Sequence, residues 1–279
     1  MIEKRNMRMD MTAADRVRLA RSQDRPQAEE YIEALFDGFF PMAGDRCGGE
    51  DEAVLGGVAM YHHIPVTVIA QRKGRNLEER TRFRFGMPSP EGYRKAERLM
   101  LQAEKFGRPV ITFVDTPGAY PGKEAEERGQ GEAIARCLAV MSRLTVPVIS
   151  VFIGEGGSGG ALAIAVCDKM IMLENSIFSI LSPEGFASIL WKDASRWEEA
   201  AEVMKLTAPD LKKLGIADVV VEEPENWNDG VERAYLFRQV DQSVQKSLEQ
   251  LLNLRGTAIA EKRYEKLRRM GAVQKEERK

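Results

Sequence analysis

The sequence predicts an α/β fold with a parallel sheet at its centre. Two continuous apolar runs, Pro109 to Val114 (PVITFV) and Pro147 to Ile153 (PVISVFI), are of the type buried on both faces of such a sheet. A helical stretch separates them, and a glycine-rich turn follows the second. Strands alternating with helical segments mark βαβ units. At 279 residues the chain can bury a large core, and it shows neither a low-complexity linker nor an internal repeat. One structural domain with helical extensions at both ends accounts for it.

In chain order, residues 12–40 read as helix, with apolar positions at Val17, Leu19, Ala20, Tyr31, Ile32, Leu35, Phe36 and Phe39, broken at Pro26. Val54 to Tyr61 and Val66 to Gln71 are β-rich runs joined by His62-His63-Ile64-Pro65, a hairpin signature. Arg72 to Arg84 reads as a charged loop. Ser89 or Pro90 opens a helix carrying Tyr93, Ala96, Leu99, Met100 and Ala103. After the first buried strand, Asp115 to Gly122 reads as a loop and about Glu126 to Arg143 as helix. After the second come the glycine loop, a short helix (ALAIAVC), and strands at Lys169–Leu173 and Ser176–Ile180. Residues 183–215 read as helical pieces, Asp218–Val221 as a last short strand, and 228–254 as a long amphipathic helix.

A net charge of -2 gives no whole-molecule reason to expect nucleic-acid or membrane binding. Locally, residues 262–279 hold eight Lys/Arg against three Glu. They read as a solvated or frayed helix, with a docking surface for an acidic partner or nucleic acid as the competing reading. Glu3, Lys4, Arg5 and Arg8 do not make a secretory signal. The stretch from Val146 to Cys167 is interrupted by Pro147, Glu155 and glycines, so it does not read as a membrane span. Cys47, Cys137 and Cys167 form neither a metal nor a disulfide spacing, which fits reduced thiols in the cytoplasm, with Cys137 and Cys167 in the core.

The chemistry converges on Gly154-Glu155-Gly156-Gly157-Ser158-Gly159-Gly160, between a strand and a helix, where main-chain N–H groups and the helix dipole favour anions. A tight turn without a ligand is the bland reading. Three functional readings compete with it. Gly154-x-Gly156-x-x-Gly159 matches a dinucleotide fingerprint, with Glu174 20 residues on as the ribose acid. Gly156-x-Ser158-x-Gly160 matches a nucleophile elbow, but the chain's two histidines, His62 and His63, both precede Ser158, the wrong order for an α/β-hydrolase. An oxyanion hole of main-chain donors needs neither histidine nor metal, and so fits the poverty of catalytic side chains. A second loop, Asp115 to Gly122 (DTPGAYPG), also follows a buried strand at the end of the sheet where α/β folds bind ligands. Asp115 and Thr116 read as turn caps, and Glu124, Glu126, Glu127 and Arg128 as a solvated helix start.

DTPGAYPG, AEERGQGEAIA, GEGGSGGALAI and SPEGFASILW, in this order and spacing, resemble the alpha-subunit family of bacterial and plastid acetyl-CoA carboxylase carboxyltransferases. GRNLEERTRFRFGMPSPEGYRKAERLM upstream and the AGDR at Ala43 to Arg46 are similar too. The resemblance spans about residues 28–225. It departs at Gln71, where a histidine is usual, at Lys123-Glu124, in a short N-terminal arm, and over 226–279.

What the resemblance implies is specific. The fold would be crotonase-like (ClpP/crotonase), a spiral of ββα units over 46–225, with a helical arm over 1–45 and a C-terminal helical extension over 226–279. The chain would hold half of a shared active site. A beta subunit, in an α2β2 core, would supply the acetyl-CoA side and a zinc ribbon, with no metal in this chain. Carboxybiotin, on a separate biotin carboxyl carrier protein loaded by an ATP-consuming biotin carboxylase, would lose CO2 as its ureido oxygen takes negative charge. The biotinate would take the acetyl α-proton, and the enolate would capture CO2 as malonyl-CoA, the first committed step of fatty acid biosynthesis. The main-chain N–H groups of Gly159 and Gly160 would be the biotin-side oxyanion donors, with Gly118, Ala119, Tyr120, Gly156, Gly157 and Ser158 lining the substrate. A stand-alone crotonase-like acyl-CoA enzyme, a subunit of a related carboxylase, and a non-catalytic scaffold are the alternatives.

Overall fold

The computed structural model describes residues 11–271. The expected N-terminal charges at residues 3–8 and the tail beyond residue 271 lie outside the described residues. Among the described residues the sheet has eight strands: β1 (Asp37–Pro41), β2 (Val54–Tyr61), β3 (Ile64–Gln71), β4 (Val110–Thr116), β5 (Val148–Gly157), β6 (Lys169–Leu173), β7 (Ile177–Ser179) and β8 (Val219–Val221). Their order is β1-β2-β3-β4-β5-β6-β8, with β7 paired to β5. The first three strands pair antiparallel, and everything from β3 onward is parallel.

Every residue of β4 and β5 is buried, as continuous apolar runs require when both faces are covered. One core lies on the face carrying Val110, Val114, Val148 and Phe152, under α4 (Pro90–Lys105) and α6 (Gln130–Arg143). The other lies on the face carrying Ile111, Phe113, Ile149 and Val151, under α2 (Ala28–Leu35) and α11 (Gly230–Leu252). The alternation along each strand sends successive side chains to opposite cores.

The hairpin forms as expected, with His62 (φ 45°) and His63 (φ 65°) as its two-residue turn. Pro65 lies inside β3, opposite Met60. Parallel pairing with β4 starts only at Thr67, so the missing N–H of Pro65 costs no ladder bond.

Four local expectations are corrected. Residues 12–40 are two helices, α1 (Ala13–Ala20) and α2, followed by β1, so Phe39 lies in a strand. Phe36 leaves the helix at φ -126°, ψ 143°, and β1 pairs with β2, a partner that helical periodicity cannot reveal. The Arg72–Arg84 stretch contains α3 (Leu77–Arg82), capped by Asn76 Oδ1 accepting from the Glu79 N–H at 2.9 Å. The helix expected over 126–143 is divided into α5 (Lys123–Glu127) and α6, because Gly129 turns the chain at φ 84°. Finally, β5 runs on through Gly157, and the following helix, α7 (Ser158–Leu162), stops well before Cys167.

Beyond β7 the chain makes α8 (Pro183–Trp191), α9 (Trp197–Met204) and α10 (Ala208–Lys213) before β8. The C-terminal helix α12 (Gly256–Arg269) is not merely solvated. Arg263 is 1% exposed, and its guanidinium donates to both carboxylate oxygens of Asp168 and to the carbonyls of Met141, Leu144 and Val146. That basic residue clamps the extension onto the α6–β5 corner.

Candidate active site

The carboxyl ends of β4 and β5 bring both glycine-bearing loops together. Gly118, Ala119 and Tyr120 lie half-buried after β4, Gly156 and Gly157 close β5, and Ser158, Gly159 and Gly160 open α7. The contact is main chain against main chain. A Cβ at Gly160 would lie 2.5 Å from the Ala119 nitrogen, and one at Gly157 would lie 2.1 Å from the Pro117 oxygen. Glycine is therefore required at both positions by close approach. At Gly159 a Cβ would meet only Ile134 Cγ2, at an ordinary 3.5 Å.

Other side chains fix this arrangement. Gln71, 1% exposed at the end of β3, donates from Nε2 to the Gly160 carbonyl at 2.8 Å and accepts from the Asp115 N–H at 3.2 Å. It thus ties the first turn of α7 to β4. The Tyr93 hydroxyl also donates to the Gly160 carbonyl, at 3.4 Å. Burial raises the Tyr93 phenol well above its ordinary range, so it stays a donor. Asp115 Oδ1 accepts from the Glu155 N–H at 2.9 Å and pairs with Lys73 Nζ at 2.7 Å. Gln130 Nε2 holds the carbonyls of Pro88 and Tyr120, each at 2.9 Å. The Thr116 hydroxyl accepts from the Gly118 N–H at 3.0 Å, the turn-capping role expected of it. The Tyr120 phenol is raised by its hydrogen bond to Glu124.

Gln71, Tyr93 and Gln130 were missed as site residues in the sequence. A buried polar residue closing an apolar strand (VIAQ) was the available signal for Gln71.

The geometry sorts the three readings of the glycine loop. The dinucleotide fingerprint places its first two glycines inside a buried strand, where Cβ atoms would strike Asp115 and the Phe152 ring at 2.4 and 2.5 Å. Glu174 is drawn to Arg16 at 3.8 Å, and its Oε2 accepts from the Glu223 N–H at 3.3 Å. Those glycines serve strand packing, not a phosphate turn.

Ser158 does hold the strained backbone of an elbow, with φ 51°. His62, however, is bonded to Asp241 at 2.9 Å, and the hairpin turn lies beyond the starting ends of the parallel strands. Ser158 lies beyond their carboxyl ends, so no imidazole reaches it.

What remains is the start of α7. The first N–H groups of a helix have no intrahelical acceptor, and no side chain caps this one. Gly160 in this first turn packs against the docked 117–120 loop, with Gly159 one residue before it. Among the described residues no group of three or more His, Cys, Asp or Glu could hold a metal ion, and no helix is long and apolar enough to cross a membrane.

Comparison with known proteins agrees in family and in fold. The acetyl co-enzyme A carboxylase carboxyltransferase-like family model matches residues 2–271. The chain is 55% identical over 266 residues to the acetyl-coenzyme A carboxylase carboxyl transferase subunit alpha of Geobacillus thermodenitrificans, covering 95% of this chain and 81% of that one. It is 56% identical over 264 residues to the subunit of the same name from Clostridium acetobutylicum, covering 94% and 95%.

Among solved structures, transcarboxylase 12S with methylmalonyl-coenzyme A superposes with a TM-score of 0.68 at 17% identity. The match covers 83% of this chain but only 42% of that one. A Pseudomonas malonate decarboxylase hetero-tetramer in complex with coenzyme A superposes at 0.65 and 18% identity, covering 84% and 90%. These likenesses establish the crotonase-like fold, with helices flanking the sheet. By family match and by identity over nearly its whole length, the chain belongs to the acetyl-CoA carboxylase carboxyltransferase alpha-subunit family.

Proposed function

We propose that this chain forms the biotin side of a carboxyltransferase site shared with a beta subunit, converting acetyl-CoA to malonyl-CoA in the cytoplasm. The observation that carries this reading is the pair of glycines at the start of α7, uncapped by any side chain, with Gly160 packed against the 117–120 loop and no imidazole within reach of the neighbouring Ser158. Carboxybiotin, borne on a carrier protein, would supply the carboxyl group. The donor set suits a ureido oxygen, because two main-chain N–H groups can hold developing charge without reorganising. Glycine at 160 keeps the wall of the site thin. Gln71 and Tyr93 hold the Gly160 carbonyl and so orient the turn that carries the donors. Gly118, Ala119, Tyr120, Gly156, Gly157 and Ser158 line the substrate in this reading.

The acyl-CoA side, a zinc ribbon and an α2β2 assembly belong to the partner half of the reading, as do the biotin carboxyl carrier protein and biotin carboxylase. This chain itself is read as an arm over 1–45, a core over 46–225 and an extension over 226–279.

Co-purification tests it. The chain should capture a zinc-containing partner, and the pair should carboxylate free biotin with malonyl-CoA while the chain alone does not. Turnover of an enoyl-CoA by the chain alone would overturn the reading. So would a stable pair that never transfers a carboxyl group.

A further inference from the structure

Between the outward faces of α4 and α6 and the 44–49 loop lies a cavity of about 500 Å³. Five guanidiniums line it against three carboxylates. Three of the five are neutralised. Arg94 pairs with Asp45 at 2.8 Å and Glu91 at 3.0 Å, Arg128 with Glu91 at 2.9 Å, and Arg136 with Glu97 at 2.8 Å.

The other two are not. Arg98 is held by main-chain carbonyls, those of Met42 and Gly44 at 3.1 Å and Ala43 at 3.2 Å. Neutral carbonyls aim a guanidinium without cancelling its charge. Burial and then the Arg46 charge push Arg98 below its ordinary value, with Glu50 and Asp45 offsetting part of this. Arg46, at φ 65°, makes no hydrogen bond or ion pair among the described residues. Two like charges therefore face one cleft, opposed by a single lining carboxylate, Glu132, that makes no ion pair among the described residues. Arginine's planar fork suits phosphate oxygens. The volume falls within the range of about 300–1,000 Å³ usual for small-molecule sites, far more than inorganic phosphate needs. Leu101, 42% exposed, offers an apolar wall.

We propose that this cavity binds a nucleotide-sized phosphoanion, its phosphates on Arg46 and Arg98 and its remaining bulk against Leu101. The site is separate from the glycine loop and does not depend on the carboxyltransferase reading. A free nucleotide and the nucleotide end of a coenzyme A thioester share this chemistry, so ADP and 3′-phospho-ADP serve as the two probes.

Calorimetric titration of the full chain should show saturable binding of at least one, weakening as salt rises. Whichever binds tighter identifies the source. Cys47 on the rim supplies a second readout. It is exposed, whereas Cys137 and Cys167 are buried, with burial pushing the Cys137 thiol up to about 12 and raising that of Cys167. Alkylation at neutral pH therefore reports Cys47, and a bound probe should slow it. Arg46→Gln should weaken binding about tenfold, and Leu101→Asp should abolish it. Neither change should move the melting temperature appreciably, since Arg46 makes no hydrogen bond or ion pair among the described residues and Leu101 is half exposed. Failure of both probes to saturate would overturn the proposal. Undiminished binding by both variants would overturn it too.

Discussion

Replacing Arg263 with leucine removes five hydrogen bonds from one buried guanidinium. Two go to Asp168, at 2.9 and 2.7 Å, and three to the carbonyls of Met141, Leu144 and Val146, at 2.7, 2.8 and 3.0 Å. The arginine side chain is 0% and that of Asp168 4% exposed, so water cannot take over. Asp168 would keep the Val148 N–H at 2.7 Å but lose its countercharge. Breaking one partner out of a buried pair costs about 3–5 kcal/mol, which is roughly 10 °C in melting temperature for a chain this size.

The pH dependence has a fixed sign. Burial raises the Asp168 carboxyl above its ordinary value, with Arg263 pulling the other way. The ion pair exists only where Asp168 is ionised, above its folded-state pKa. The gap between parent and variant is therefore full at neutral pH and closes as pH falls through that raised value. Thermal unfolding followed by circular dichroism at neutral and mildly acidic pH measures both effects. Removing the stranded carboxylate as well, in Arg263→Leu/Asp168→Leu, should recover part of the loss. A single-variant loss below about 1 kcal/mol, or a gap that widens on acidification, would refute the assignment of Arg263 as the clamp.

Other substitutions separate packing from chemistry at the glycine loop. Gly160→Ala drives a Cβ into the Gly118–Ala119 backbone, and should lower both stability and carboxyl transfer by a reconstituted complex. Gly159→Ala meets only Ile134 and should change stability by less than about 0.5 kcal/mol in urea unfolding. Ser158→Ala should leave turnover within a few-fold, because no imidazole reaches that hydroxyl. A loss of many orders of magnitude would restore the serine as a nucleophile. Gln71→Leu deprives the Gly160 carbonyl of its 2.8 Å donor and should cut kcat on the order of tenfold to a hundredfold. Its KM for acetyl-CoA should be unchanged, and equal effects on both constants would argue against a positioning role.

The pattern of what could be read in the sequence has physical causes. β4, β5 and α4 were legible because each carries its own signal, a continuous apolar run or an apolar stripe opened by Pro90. β1 was not, since Phe36 and Phe39 satisfy helical spacing, and only pairing with Val58 and Gly57 makes the segment a strand. α3 buries none of its residues, so it leaves no stripe to detect. Arg263 looked like one more charge in a basic tail, because its partners stand 95 to 122 residues away. At the site, the two loops were visible as motifs, whereas their direct main-chain contact was not. Gln71 was noticed as a departure from the family pattern, yet its bond to Gly160 depends on β3 ending beside β4 and the start of α7.

In the proposed function the amides of Gly159 and Gly160 hold the ureido oxygen of biotin. A crystal structure of the chain assembled with its beta subunit and biotin tests this most directly. That oxygen should lie within about 2.7–3.1 Å of both amide nitrogens, with Ser158 making no covalent or proton-transfer contact. A ureido oxygen bound instead to a side chain, or seated away from the start of α7, would contradict it.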